Sequence, residues 1–280
     1  MKTVKFQLFV FVKLLFVLFF FCLFDLLNAQ SDLIPKCTQK VNAKEVRLDL
    51  MGNIYLISDN SLKKNTVCEN NLIQFQFPFN GHNVSLDLSN SFKILLFFSN
   101  SRKIVYLNNY LSSVKELTLP DVLRTDEIPL VCSSYNNGIW LYNLSQNSIV
   151  RYNADFNKQY EVYLTSIIED PTLIPTQLFE VDNQVFLGIP NYGVLIFDKF
   201  GSFIKRIPIL YPEQFRYYAG KFYFFNKKSL FGYNPLRFEE QLLHTSTEEI
   251  LTFDISQDYI AIINIKQELS VYEIRKSLKN

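Results

Sequence analysis

A short pattern recurs six times along this chain of 280 residues, and it restricts the fold more than any other feature. Each copy has one strand that ends near a polar residue, a tight turn, and a second strand that is almost wholly apolar. The clearest copy reads LDLMGNIYLI at residues 48–57. The apolar strands begin near residues 54, 94, 139, 185, 222 and 260. A repeat of this length, with several strands in each copy, indicates an array of small sheets.

Further strands follow the first two in each copy. A third strand begins about ten residues on, and most copies show a fourth. In the fourth copy, the third and outer strands read GVLIFDKFGSFIKRI at residues 193–207. We expect Asp198 to hydrogen-bond the backbone of the turn between them, and Gly201 to adopt the positive φ that such turns need.

Six ordered copies of this unit predict an all-β fold, a six-bladed β-propeller of four-stranded antiparallel blades. The chain resembles the six-bladed β-propellers of the NHL-repeat-like, secreted type over about residues 38–274. The resemblance implies the architecture but no specific family, because such propellers have unrelated activities. A seventh blade would need about 35 more residues than this period leaves. A β-sandwich would not require six copies of one four-strand unit.

The last copy lacks an outer strand. It offers three strands, and the chain then ends in a short basic segment. An open ring would leave unpaired strand edges, which favour aggregation. We therefore expect the segment Cys37–Val41, which precedes the first innermost strand, to close the ring as the outer strand of the last blade, beside Glu268–Ile274.

The N-terminus has the pattern of a secretory signal peptide. Lys2 and Lys5 precede an uninterrupted apolar run over residues 14–24, and Ala29 offers a small residue for cleavage. This order of charge, apolar core and small residue predicts a signal peptide at residues 1–29.

Cleavage would leave residues 30–280 as a single β-propeller domain, exported to the periplasm or the extracellular space, with no membrane span. The alternative is a retained anchor, since residues 6–27 are nearly long enough to cross a bilayer. A retained anchor would make the protein a surface-anchored sensor.

Charge and cysteines say little about partners. The formal net charge is +1, and the exported part is near neutral, so no basic field points to nucleic acid.

Cys37, Cys68 and Cys132 remain after cleavage. Cys37 and Cys68 flank the first copy and are the candidate disulfide, which an exported protein permits. Three buried, reduced cysteines are the alternative, and it stays open.

Sequence motifs for common enzyme chemistry are missing. The chain has no phosphate-binding glycine loop and no serine-hydrolase elbow. His82 and His244 belong to different copies, so we expect hydrogen-bonded surface histidines rather than a metal centre.

Acidic residues recur near the ends of the predicted innermost strands, around the central channel: Asp49, Asp87, Glu180 and Asp254. We expect each carboxylate to cap its own turn, and we expect no cofactor. The alternative is that the ring of carboxylates binds Ca²⁺. Ser134 and Tyr217 stand at the corresponding places of the other two copies, which interrupts the ring.

Aromatic residues are dense over residues 211–233. Such rings more often fill the space between blades than bind a sugar or a partner, although both are open. Arg216, Tyr217 and Tyr218 are the exceptions, because a charged residue on an innermost strand faces the channel or a loop.

We expect an exported, non-catalytic binding module, since a propeller offers a rigid disc with variable loops. Its partner would be an envelope or extracellular protein, with a glycan or a peptide as other candidates. The alternative is a channel-mouth enzyme resembling the metal-dependent lactonases or the lyases, with Arg216 as an anion clamp. The candidate ligand-binding residues are Asp49, Asp87, Glu180, Arg216, Tyr217 and Asp254.

Overall fold

A computed structural model describes residues 33–69, 72–78, 83–210 and 214–275, and it places them in six four-stranded antiparallel sheets arranged in a ring. The predicted six-bladed β-propeller is confirmed. The predicted signal peptide lies outside the described residues and stays a prediction. Among the described residues, no helix is both long enough and apolar enough to span a bilayer.

The blades follow the chain in order, each written from its innermost strand outward. Blade 1 is β2 Glu45–Leu48, β3 Ile54–Ile57, β4 Ser61–Asn65 and β5 Ile73–Gln76. Blade 2 is β6 Val84–Asp87, β7 Ile94–Phe98, β8 Lys103–Leu107 and β9 Ser113–Thr118. Blade 3 is β10 Leu130–Ser133, β11 Ile139–Asn143, β12 Ser148–Tyr152 and β13 Lys158–Tyr163.

Blade 4 is β14 Gln177–Val181, β15 Gln184–Ile189, β16 Gly193–Asp198 and β17 Phe203–Ile207. Blade 5 is β18 Phe215–Tyr218, β19 Lys221–Asn226, β20 Ser229–Asn234 and β21 Glu239–Thr245. Blade 6 is β22 Ile250–Ile255, β23 Tyr259–Asn264, β24 Glu268–Ile274 and, as its outer strand, β1 Leu33–Lys40. Within the described residues, three short 3₁₀ turns lie at Asp121–Leu123, Tyr135–Asn137 and Leu164–Ser166.

Ring closure by the N-terminal strand is also confirmed. β1 pairs antiparallel with β24, from Leu33 opposite Ile274 to Lys40 opposite Glu268. The strand is longer than the predicted segment, and its register shifts once, after Pro35. Proline has no N–H to donate, so an irregular outer strand is where a sheet tolerates it.

Two of the cysteines join this closing strand to the first blade. Cys37 of β1 and Cys68, in the loop after β4, form a disulfide with their Cα atoms 5.8 Å apart. The bond therefore links the outer strand of blade 6 to blade 1. Cys132 of β10 is a buried free thiol.

The hydrophobic core lies between the blades, as six clusters that each join two neighbours. Tyr55 of blade 1 packs in one cluster with Phe98 of blade 2, and Trp140 of blade 3 packs with Phe197 of blade 4 in another. The second strands are buried on both faces, which explains why their sequences are apolar without alternation. The outer strands are largely exposed.

The predicted turn of the fourth copy has the expected geometry. Asp198 Oδ1 accepts the N–H groups of Phe200 and Ser202, both at 2.8 Å, and Gly201 has φ +90°. Asparagine does the same in the corresponding turns of blades 2, 3 and 5, at Asn108, Asn153 and Asn234. One side-chain amide or carboxylate thus organises the third-to-fourth turn in four blades.

Candidate functional site

The six innermost strands surround the central channel and run in the same direction. We call the face of the ring where they begin the upper face, and the face where they end the lower face. Because the blades are antiparallel, loops from first to second strands and from third to fourth strands lie on the lower face. Loops from second to third strands, and from blade to blade, lie on the upper face.

Asp49, the first of the predicted carboxylates, holds its own turn. Its Oδ1 accepts the N–H groups of Met51 and Asn53, both at 2.9 Å. Its Oδ2 accepts the Asn53 amide at 2.8 Å and the Tyr55 hydroxyl at 3.0 Å. Burial, together with this carboxylate, raises the pKa of Tyr55, so the phenol stays a donor. These contacts match the turn-cap alternative at this position.

Asp87 and Glu180 connect neighbouring blades. Asp87 also caps its own turn, because its Oδ1 accepts the Ser89 N–H at 2.7 Å. Asp87 Oδ2 accepts the N–H of Ser133, on the innermost strand of blade 3, at 2.6 Å. Glu180 of blade 4 accepts the Ser134 hydroxyl at 2.6 Å and the Trp140 indole N–H at 2.9 Å, both from blade 3. Both carboxylates thus hold the innermost strands of blades 2, 3 and 4 in register.

Asp254 is the centre of a charged cluster that joins three blades. Its Oδ1 accepts Nε of Arg216, from blade 5, at 2.8 Å. Its Oδ2 accepts the Leu48 N–H at 2.8 Å and Nε of Arg47 at 3.2 Å, both from blade 1. Glu45 adds a second acceptor, 3.3 Å from Arg47 Nη1 and 3.4 Å from Arg216 Nη2. Arg216 and Asp254 are almost completely buried.

The two guanidinium groups respond differently to this environment. Burial lowers the pKa of Arg47, but Asp254 and Glu45 outweigh burial, so the pKa is raised overall. Burial and the neighbouring Arg47 lower the pKa of Arg216, and the same carboxylates only partly offset them. The cluster is therefore two cations held by two anions, and Arg216 is engaged in structural contacts.

Two glutamines complete the connections between innermost strands. Gln177 Oε1 accepts the Phe215 N–H at 2.8 Å, from blade 4 to blade 5. Gln214 Oε1 accepts the Phe253 N–H at 3.2 Å, from blade 5 to blade 6. The sequence pattern alone singles out neither glutamine, nor Glu45 or Arg47. The one signal available was a glutamine at or just before an innermost strand in two successive copies.

Tyr217 lies among aromatic side chains. Its ring centroid is 4.6 Å from that of Phe186 in blade 4 and 5.0 Å from that of Phe222 in its own blade. Burial and nearby Asp182 raise its pKa. Phe222 and Phe224 are buried, which confirms that the described aromatic residues of this region mainly fill the space between blades.

His244 stands apart from the channel, on the outer strand of blade 5. His244 is half-buried rather than exposed, and its Nε2 lies 3.2 Å from the Tyr272 hydroxyl, between blades 5 and 6. Burial lowers its pKa. His82 lies outside the described residues.

A cavity of about 630 Å³ lies in the channel, lined by residues of β2, β6, β10, β14 and β18. Arg47, Arg216 and Asp87 border it, as does Ser85. The Ser85 hydroxyl oxygen is buried and has no hydrogen-bond partner among the described residues. The volume is within the range of small-ligand pockets.

Calcium binding by the carboxylate ring stays an untested alternative. Across the part of the chain that the structure describes, no three acidic, histidine or cysteine side chains converge as metal ligands would. The candidate carboxylates serve three different structural roles, in a turn, between two blades and among three blades.

The lower face carries a set of exposed apolar side chains, which we call the apolar crown. Within the described residues they are 50 to 83% exposed, and all lie in loops of this face: Leu50, Met51, Phe92, Tyr110, Phe200, Leu236 and Phe238. Several stand two residues after an Asp or Asn whose Oδ1 accepts their N–H. Asn90 does this for Phe92 at 2.9 Å, and Asn108 for Tyr110 at 3.0 Å.

Comparison with known proteins supports the fold and no family. No protein family and no curated protein matches the sequence. Similar solved structures include a streptogramin B lyase, with 13% identity, 86% of this chain and 98% of that chain covered, and a TM-score of 0.59. The Cps50 (Swd1) β-propeller domain of Myceliophteria thermophila has 10% identity, coverage of 86% and 99%, and a TM-score of 0.59. BBS1N in complex with ARL6DN has 10% identity, coverage of 89% and 99%, and a TM-score of 0.55.

Proposed function

We propose that this protein is an exported, non-catalytic propeller that binds a partner protein through the apolar crown. The observation that carries the proposal is the combination of exposure and rigidity at the lower face. The crown gathers seven large exposed apolar side chains on one face of the ring, from loops of blades 1, 2, 4 and 5. Apolar side chains that a surface leaves exposed as a patch mark interaction sites. Aromatic residues and methionine are enriched where proteins bind one another.

The turns beneath the crown explain why these side chains are suited to docking. In each of five turns, an Asp or Asn accepts the N–H of the crown residue two positions later, which fixes the backbone at the tip: Asp49–Met51, Asn90–Phe92, Asn108–Tyr110, Asp198–Phe200 and Asn234–Leu236. A preordered loop loses little entropy when it binds. The crown therefore offers apolar area at a low entropic cost.

An extracellular or envelope protein is the partner that fits this proposal. The disulfide between Cys37 and Cys68 suits an oxidising compartment, and the sequence of residues 1–29 suits export. The structural neighbour BBS1N, in complex with ARL6DN, is an example of a protein of this fold bound to another protein. A glycan or a peptide would need more polar groups than the crown supplies, since Tyr110 alone among the crown residues carries a hydroxyl.

The channel-mouth enzyme is the weaker alternative. A metal-dependent lactonase or a lyase would need carboxylates whose oxygens are free to bind a metal or to move a proton. Asp49 accepts four hydrogen bonds, and Asp254 holds two guanidinium groups. Arg216, the proposed anion clamp, donates to Asp254 and to a backbone carbonyl.

The test is whether capture of a partner depends on the crown. The full chain, tagged at its C-terminus, is incubated with envelope and secreted fractions, and captured proteins are quantified by mass spectrometry. The crown variant is Phe92→Ser with Tyr110→Ser. The control variant is Val122→Ser with Ile174→Ser, which removes exposed apolar side chains from upper-face loops.

We expect a stoichiometric protein that the wild type and the control variant capture and the crown variant loses by at least about tenfold. Equal capture by the crown variant would reject docking through the crown. The size of the exported protein on a gel, with its N-terminal sequence, tests export separately, since cleavage would remove residues 1–29.

A further inference from the structure

A second feature of the lower face is a positively charged cleft between blades 2 and 3. It has a volume of about 310 Å³ and is lined by Lys93 and Lys115 of blade 2 and by Asn137 and Asn153 of blade 3, among others. None of its lining residues is acidic. We call it the lysine cleft.

Lys93 lies in the cleft and forms no ion pair with any carboxylate of the described residues. Its Nζ donates to Asn137 Oδ1 at 2.7 Å and lies 4.6 Å from the centre of the Tyr106 ring. The side chain is half-buried. Burial, and the repulsion of Lys115, lower the pKa of Lys93. A half-buried ammonium with no carboxylate beside it is unfavourable in the free protein, so an incoming anion would be attracted to it.

Lys115 is exposed on the outer strand β9. Among the described residues, it has no carboxylate or other hydrogen-bond partner. Its neighbour Glu116 is not available, because that carboxylate pairs with Lys103 at 2.6 Å. Two ammonium groups thus border one cleft with their charges uncompensated.

The other polar side chains of the cleft also offer donors. Asn137 Oδ1 is occupied by Lys93, and Asn153 Oδ1 accepts two backbone N–H groups of its own turn. Each side chain therefore has its NH₂ group left to donate. Burial, with Asp87 nearby, raises the pKa of Tyr106 to about 12, which keeps its hydroxyl protonated.

The lining beneath these donors is apolar. Leu117 of blade 2 and Ile139 and Phe156 of blade 3 complete the cleft. A bare inorganic anion would make no use of these groups, whereas an acidic residue beside an apolar one would. The cleft and the crown also share one loop of the lower face, in which Phe92 directly precedes Lys93.

We propose that the lysine cleft binds an acidic peptide segment of the partner protein, with carboxylates at Lys93 and Lys115 and an apolar side chain against Leu117 and Ile139. This inference rests on the proposed function, because it names the chemistry that the partner presents beside the crown. Its test uses no partner, so either idea can fail alone.

The experiment is an NMR titration of the full chain with ¹³C-dimethylated lysines, which keep their positive charge. The probes are the peptides acetyl-Glu-Phe-Glu-amide and acetyl-Gln-Phe-Gln-amide, and inorganic sulfate. We expect the glutamate peptide to shift the Lys93 and Lys115 signals saturably, and the glutamine peptide to leave them in place. Sulfate should bind about tenfold more weakly than the glutamate peptide, because sulfate makes no contact with the apolar lining of the cleft.

Variants give the matched control. Lys115→Gln should weaken binding of the glutamate peptide about threefold, the effect of an ion pair at an exposed lysine. Lys205→Gln, at an exposed lysine of blade 4, should leave its affinity unchanged. Equal binding of both peptides, binding of sulfate as tight as that of the glutamate peptide, or no shift at all would each overturn the proposal. The second of these results would assign the cleft to a free anion.

Discussion

At the scale of single residues, glycine is needed at Gly201 for two separate reasons. Its φ of +90° is costly for a residue with a side chain, and a Cβ there would lie 2.8 Å from a methyl group of Val162 in blade 3. Gly220 shares the first reason only. Its φ is +75°, and a Cβ would meet nothing within 4 Å.

Gly201→Ala should therefore destabilise the protein more than Gly220→Ala. We expect about 1 kcal/mol for Gly220→Ala, from backbone strain alone, and about 2–3 kcal/mol for Gly201→Ala, from strain and overpacking. Urea unfolding of both variants beside the wild type measures the difference. Equal losses would show that Val162 moves aside without cost.

A second residue-scale prediction concerns His244 and pH. Because burial lowers its pKa below the ordinary value of 6.5, the folded protein holds a neutral ring where the unfolded chain binds a proton. The contribution to stability is thus complete above about pH 6.5 and is lost as pH falls below it. Between pH 7.5 and 5, the free energy of unfolding should fall more steeply for the wild type than for His244→Gln. The two free energies should therefore converge or cross as the pH falls. A difference that does not change over this range would contradict the assignment.

At the scale of secondary-structure elements, the innermost strands are held together by side chains that reach from one blade to the next. Asp254 alone makes three of these contacts, to the Leu48 N–H of blade 1 and to the guanidinium groups of Arg47 and Arg216. Replacing it leaves two buried or half-buried cations short of a partner, which is more costly than losing one hydrogen bond.

Asp254→Asn should lower the free energy of unfolding by about 3 kcal/mol, the range for a broken buried ion pair. Asp198→Asn is the control, because asparagine already occupies the same turn position in three other blades, at Asn108, Asn153 and Asn234. The control should change stability by less than about 0.5 kcal/mol. Similar losses in both would mean that the ion cluster contributes no more than a turn cap.

How far the sequence could predict the contacts of the innermost strands and turns depended on where the partner residues lie in the chain. Asp198 was predictable because both of its backbone partners lie within four residues of it. Asp254 was not, because its guanidinium partners lie 38 and 207 positions away and are chosen by the ring. The crown was missed although its signal was present, an Asp or Asn two residues before a large apolar residue at a turn. The lysine cleft needs two blades side by side, and no single copy encodes it.

At the scale of the whole molecule, the period of the repeat determines the blade count, and closure determines whether the blades form a ring. Six copies with one outer strand missing required a strand from elsewhere, and β1 supplies it. Each blade buries its faces only against its neighbours, so one open junction exposes two apolar faces. The disulfide between Cys37 and Cys68 acts at this junction.

Two changes separate the contributions of the bond and of the strand at this junction. Cys37→Ser with Cys68→Ser removes a cross-link between residues 31 positions apart, and we expect a loss of about 3 kcal/mol with the ring still closed. Reduction of the wild type should lower its Tm to that of the double variant, and the Tm of the double variant should not respond to reductant.

Deleting residues 30–42 removes the strand itself and exposes the edge of β24, so we expect loss of the single cooperative unfolding transition and aggregation. If the deletion variant unfolded with the Tm of the double variant, the strand would add nothing beyond the bond, and closure would depend on the innermost strands alone.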